Sequence, residues 1–258
     1  MTCPHVLLFE VKMRRVFVPI EQVGEDAITI CGDDVKHMRD VLRMKEGDSI
    51  TATCGRGVDY RCEIASVGDD VITLSIVDQE ADASELPVKI SLYQALPKSD
   101  KLELVIQKAV ELGVYEVIPM RTSRCVVKLD DAKAEKKQVR WQKISEEAAK
   151  QSGRGIVPEV CPVMNFDDAV KRASSCDRIL IPYELSEDFS ADRLRESIKD
   201  GAKEIAVFIG SEGGFERSEV ETVINAGGVE ISLGHRILRT ETAAITVLAH
   251  LMLTIEGM

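Results

Sequence analysis

The feature that most constrains this chain is an alternation that runs from Val88 to the carboxyl end. ISLYQAL is followed by the helical pattern of DKLELVIQKAVELG, then by VYEVIPM, a long helix around Trp141, Ile144 and Ala148, and RILIPYE. A helix near Leu194, AVFIG, a helix from Ser218, VEISLG and a final apolar helix from about Glu241 complete the series. Short apolar strands separated by helices imply a mainly parallel sheet covered on both faces. An α/β domain is therefore predicted over residues 88–258. In open sheets of this kind ligands bind beyond the carboxyl ends of the strands.

The front of the chain reads differently. From Arg15 to about Val77 it offers the short strands VFVPI, AITI, SITATC, DYRCEIASV and VITLSIV, separated by Gly-Glu-Asp, Glu-Gly-Asp and Gly-Asp-Asp turns. This spacing predicts a small β-barrel over residues 13–80. One helix interrupts it, Asp34 to Arg43, with Val35, Met38 and Leu42 inward and Lys36, Arg39 and Arg43 along another stripe. Such a stripe is by default a solvated face, and a nucleic-acid-binding barrel would use it. The acidic stretch DQEADASELP, 78–87, lacks periodicity and reads as the linker.

Within the rear domain, residues 207–220 read VFIGSEGGFERSEV: a buried strand, a glycine-rich turn, then a helix start. Ser218 and Glu221 have the spacing of a capping box. The turn is neither Gly-x-x-x-x-Gly-Lys-Ser/Thr nor Gly-x-Gly-x-x-Gly. It has no Lys, and Glu212 places negative charge where a polyphosphate would be repelled. A ligand without phosphates and with positive charge fits it. So does an ordinary strand-to-helix turn whose glycines supply positive φ.

Composition narrows the partners. A net charge of −11 over 258 residues predicts a soluble protein and argues against non-specific attraction of nucleic acid to the whole surface. Any polyanion must therefore find a local basic patch. Seven Cys without CxxC spacing and four scattered His without HExxH give neither a disulfide framework nor a metal site, so reduced cytoplasmic thiols are expected. No apolar stretch is long enough to span a bilayer. MTCPHVLLFEVK is a poor signal peptide, and ordered structure is expected from about Met13.

A second glycine-bearing edge follows the last strand, in LGHRILRTETAAITVLAHL, 233–251. Gly234 can make the turn, Thr240 can cap the following helix, and Glu241 falls in its first turn, where the helix dipole favours a carboxylate. Arg236 and Arg239 stand just before it. Two such loops at one sheet edge predict a pocket.

IGSEGGFERSEV together with LGHRILRTETAA resembles the paired cofactor loops of the SPOUT methyltransferases, specifically the RsmE-type 16S ribosomal RNA uridine-N3 methyltransferases. MRRVFV, HMRDVLRMKEGD, QKAVELGV, RTSRCVVK and QSGRGIVPEV extend the likeness over nearly the whole chain. The resemblance implies a PUA-like β-barrel in front of a trefoil-knotted α/β methyltransferase domain. It further implies a homodimer, S-adenosyl-L-methionine as cofactor, 16S ribosomal RNA or the small ribosomal subunit as partner, and no metal or membrane. Pro182, Tyr183, Glu184, Gly210, Ser211, Glu212, Gly213, Gly214, Leu233, Gly234, Ile237, Leu238 and Thr240 become the expected cofactor contacts. Ser211 and His235 stand where the family commonly has Pro, which predicts loops more mobile before binding.

Methylation at uridine N3 needs donor and acceptor held at near-attack distance, an acceptor for the N3 proton and a cation for charge building on the ring. Arg239 or Arg154 is the expected cation, and Glu241 the expected acceptor or orienter. Residues 121–154 carry ten Lys or Arg against five Asp or Glu, which makes this stretch basic in an acidic chain. With Arg14, Arg15, Lys36, Arg39 and Arg43 in front, Arg121, Arg124 and Arg154 form the expected RNA contacts. Two rival readings share these features: a ribosome-associated RNA-binding factor without chemistry, and a knotted methyltransferase acting on ribose or on transfer RNA.

Overall fold

The structure, a computed structural model, describes residues 15–55, 57–81, 84–127, 129–184 and 201–257. Arg14 and the helix expected near Leu194 lie outside the described residues. The chain forms two compact units. One comprises the residues up to Ser84 together with Gly153–Ile156, and the other Glu85–Ser152 with the residues from Val157 onward.

The first unit is a five-stranded sheet of β1 (Arg15–Phe17), β2 (Ala27–Cys31), β3 (Ser49–Thr53), β4 (Val58–Val67) and β5 (Val71–Ala81). Its order is β1-β3-β4-β5-β2, with β1 parallel to β3 and the other pairs antiparallel. Alternate residues Ile28, Ile30, Ile50, Ile64, Ile72 and Leu74 point to one buried face. Register shifts between β4 and β5, at Arg61/Cys62 and Ile64/Ser66, are the kind of irregularity that bends a sheet toward a barrel. The helix α1 (Asp33–Lys36) covers this face with Val35 and continues into a π turn, His37–Val41, in which the Leu42 amide donates to the His37 carbonyl. It stops short of the expected Arg43, which has φ +51°.

The expected linker is shorter than DQEADASELP. β5 runs on to Ala81 because Arg61 on β4 pairs with Asp78 and lies 3.6 Å from Glu80. Cross-strand charge neutralisation lets acidic residues continue a strand that composition alone would end.

The second unit contains, in chain order, β6 (Lys89–Ala95), α2 (Lys101–Glu111), β7 (Glu116–Arg121), α3 (Asp131–Ser152), β8 (Glu159–Val160) and β9 (Met164–Asn165). Then come α4 (Phe166–Ala173), β10 (Arg178–Pro182), β11 (Glu204–Ile209), α5 (Arg217–Asn225), β12 (Val229–Ile231) and α6 (Thr240–Glu256). Every strand pair is parallel, in the order β12-β10-β11-β6-β7-β8, with β9 also beside β7. Helices α2, α3 and α6 close one face over Leu92, Val117 and Val207. α4 and α5 close the other, where Tyr93 and Phe208 stack with ring centroids 4.6 Å apart. The two-residue strands β8 and β9 are too short for periodicity to reveal, and α4 went unread with them.

One topological fact positions the site. β11 and β6 lie side by side, yet β11 leads into α5 on one face and β6 into α2 on the other. Chains that leave adjacent strands in opposite directions open a crevice between them at the carboxyl edge.

Candidate active site

The first loop leaves β11 at Gly210 and closes on itself. The Gly214 amide donates to the Ser211 carbonyl at 2.9 Å, so Gly210 and Gly214 are pressed together. A Cβ on Gly210 would come within 3.0 Å of the Gly214 carbonyl carbon, and Gly214 itself has φ +66°. Ser211 braces the turn by hydrogen bonding. Its hydroxyl donates to the Arg124 carbonyl at 3.3 Å and accepts the Gly213 amide at 3.4 Å, while Arg124 Nη1 donates to the Gly213 carbonyl at 3.0 Å.

Helix α5 begins two residues earlier than expected. Its cap is Glu216, and the box partner is Glu219, whose Oε2 accepts the Glu216 amide at 2.8 Å; Ser218 lies inside the helix. Oε1 of Glu219 accepts the Ser123 amide at 2.8 Å and its hydroxyl at 3.0 Å. The same carboxylate therefore starts the helix and holds the turn after β7. At α6 the cap position belongs to Arg239, with Thr240 the first helical residue. The Thr240 hydroxyl instead donates to the Gly210 carbonyl at 2.6 Å and accepts from Gln94 Nε2 at 2.9 Å, joining the second loop to the first.

The turn between β6 and α2 joins both loops as well. The Lys98 amide donates to Glu212 at 3.1 Å. Lys101 Nζ lies 3.0 Å from Glu212 and 3.4 Å from Glu241. Burial disfavours charge on Glu212, but its hydrogen bonds to backbone amides and to Lys101 outweigh this and hold its carboxyl below the ordinary range. The hydrogen bond to Glu212 holds the Lys101 ammonium above its own.

These loops enclose a cavity of about 400 Å³, and all thirteen residues expected at a cofactor line it. Lys101, Ile209, Phe215, Ser232, Arg236, Arg239 and Ala243 complete its wall. Glu241 does not line it; its carboxylate faces Lys101.

Residues 84–252 match the RNA methyltransferase domain family, and residues 30–77 match the RNA methyltransferase PUA domain. The chain belongs to this family. The "Ribosomal RNA small subunit methyltransferase E" of Bacillus subtilis is 41% identical over 246 residues, covering 92% of this chain and 95% of that one. The protein of the same description from Synechocystis is 30% identical, covering 94% of this chain and 78% of the other. Among solved structures, a putative methyltransferase of Legionella pneumophila in complex with SAM has 32% identity and a TM-score of 0.74, covering 93% of this chain and 97% of that one. The ribosomal RNA small subunit methyltransferase E of Neisseria gonorrhoeae bound to S-adenosyl methionine has 28% identity and a TM-score of 0.76, covering 92% and 95%. The fold is thus the SPOUT-type parallel-sheet domain preceded by a PUA-like sheet.

Several basic residues of this methyltransferase are engaged within the protein. Arg15 donates to the Gly153 carbonyl at 2.5 Å and pairs with Asp59. Arg39 bonds Asp40 at 2.7 Å and Asp69 at 3.3 Å, Arg121 donates to the Leu129 carbonyl at 3.2 Å, and Arg124 serves the glycine turn. Lys36 and Arg43 are exposed, as is Arg239 at the cavity. Arg154 is buried in the segment grouped with the first unit, and it does not line the cavity. Sequence reasoning missed Gln94, Lys98 and Lys101. The available signal was their place at or just past the carboxyl end of β6, the same that drew attention to the two glycine loops.

Among the described residues no group of His, Cys, Asp or Glu could hold a metal ion, and no helix is long and apolar enough to cross a membrane.

Proposed function

We propose that this protein transfers a methyl group from S-adenosyl-L-methionine to N3 of a uridine in 16S ribosomal RNA of the small ribosomal subunit. The observation that carries this reading is the cavity at the carboxyl edge, built by both motif loops in a chain 41% identical to the Bacillus subtilis enzyme.

The lining fits the cofactor. Leu233 and Leu238 offer apolar walls, the Gly210–Gly214 contact leaves room that a side chain would fill, and Glu184 and Glu212 suit a cation. When bound, the cofactor supplies an electrophilic methyl group on a sulfonium. The residues of the cavity then act by position. Backbone groups of Gly210–Gly214 and Leu233–Leu238 hold the nucleoside, and the crevice excludes water. Arg239, exposed at the cavity wall, stabilises the negative charge on a uracil ring whose N3 proton has passed to bulk solvent before the methyl is transferred. Glu241, held by Lys101, orients the head of α6.

Residues 13–80 serve as the RNA-binding barrel and 88–258 as the methyltransferase domain, with Lys36, Arg43 and the basic segment from Arg121 as phosphate contacts. The active species is a cytoplasmic homodimer. Support for the dimer comes from the apolar surface left by the second unit: Ile237 is 89% exposed beside the cavity, and Leu253 on α6 is 66% exposed.

The test is primer extension on 16S ribosomal RNA or small subunits incubated with the protein and cofactor, since a methyl at N3 blocks the pairing edge and stops reverse transcription. Arg239→Ala should lower turnover roughly a hundredfold while leaving cofactor affinity nearly intact. Wild-type turnover from that variant removes Arg239 from the mechanism. No stop on any ribosomal substrate favours an RNA-binding factor instead.

A further inference from the structure

Lys101 sits at the first position of α2, on a turn outside both motif loops, yet its ammonium reaches each of them. It lies 3.0 Å from Glu212 in the first loop and 3.4 Å from Glu241 at the head of α6, and it lines the cavity. None of the three side chains is more than 29% exposed, so the cluster is only partly screened by water. One ammonium shared between two carboxylates leaves this cluster with one net negative charge. Remove the ammonium and two like charges face each other beside the ligand.

We propose that Lys101 is a positioning residue of this site: it ties the first loop to the second through Glu212 and Glu241, and it sets how strongly the pocket prefers a cationic ligand over a neutral one. The inference rests on the reading that the ligand is S-adenosyl-L-methionine, whose sulfonium is positive. Its demethylated product is the neutral thioether of otherwise the same shape. A Lys101–Glu212–Glu241 cluster with one net negative charge favours the sulfonium over the thioether, and the same cluster with two favours it more strongly. The Gln94 bridge from Thr240 to Gly210 ties the same two loops without any charge, so of the two ties only that of Lys101 carries a charge effect.

The experiment is calorimetric titration of the full chain with S-adenosyl-L-methionine and, separately, with its demethylated thioether. The readout is the ratio of the two dissociation constants, thioether over sulfonium, compared with wild type. Lys101→Met should weaken both ligands, through loosened loops, and raise the ratio about three- to tenfold. Lys101→Arg, which keeps the charge, should restore the ratio. Glu212→Gln, which removes one carboxylate, should lower it by a comparable factor and carries the test should Lys101→Met fail to fold by circular dichroism. A purely structural tie would weaken both ligands equally, so ratios within twofold of wild type in the folded variants overturn the proposal. A wild-type protein that binds neither ligand overturns the cofactor reading, and the inference with it.

Discussion

Gly210 shows how a single missing side chain shapes this site. Its Cα faces the backbone of Gly214, and an added Cβ would sit 3.0 Å from a carbonyl carbon that cannot swing aside. At Gly214 the nearest atom to an added Cβ is instead Glu184 Oε1, at 2.7 Å, the far end of a flexible side chain. There the cost is mainly the positive φ, about 1 kcal/mol. Gly210→Ala is therefore expected to open the turn, costing about 1–3 kcal/mol of stability and at least tenfold in cofactor affinity, as read by urea unfolding and calorimetry. Unchanged affinity in Gly210→Ala would show that the closed turn is not what holds the ligand. Ser211 makes the related point that a side chain can restrain a turn, here through hydrogen bonds to the Arg124 carbonyl and the Gly213 amide.

At the scale of an element, α5 owes its starting point to a buried carboxylate. Glu219 is 5% exposed and receives the Glu216 amide from its own helix and two donors of Ser123 from the turn after β7. Glu219→Ala would remove the carboxylate that these three donors share, at an expected cost of about 1–2 kcal/mol by urea unfolding. Ser218→Ala should stay within about 0.5 kcal/mol, because Ser218 is an exposed residue inside the helix and not its cap. Equal effects of the two substitutions would contradict the cap assignment. Local spacing pointed to Ser218 with Glu221; the structure has Glu216 with Glu219, whose carboxylate also meets a partner on another element.

For the whole molecule, each compact unit buries a thiol in its core. Burial pushes Cys62 in the first unit up to about 11, and Cys161 in the second, beside Glu116, up to about 12. An unfolded thiol ionises near 9. Between that value and about 11 the unfolded chain therefore binds fewer protons than the folded one, so stability falls as pH rises through this window and is fully present below it. A loss on the order of 2 kcal/mol per thiol is expected in urea midpoints taken from pH 8 to 11. Cys62→Ala and Cys161→Ala should each flatten the profile; a profile equally steep in the double variant would assign the alkaline loss to other groups.

The alternation of apolar strands with amphipathic helices was readable in sequence because strand and helix periods are local, and so were the two edge loops whose residues come to line one cavity. β8, β9 and α4 were not, since a two-residue strand has no period to detect. Nor could sequence show that Arg15, Arg39 and Arg124 spend their donors on Asp59, Asp69 and the Gly213 carbonyl, because a charge in a string carries no record of its neighbours in space. Lys98 meets Glu212 from 114 positions away, and Lys101 reaches both loops from the same turn. Sequence by itself determined which segments would stand at the carboxyl edge of the sheet. Only the tertiary structure, by running β6 beside β11 and sending their helices to opposite faces, decided that this turn and both loops would share one crevice and its charges.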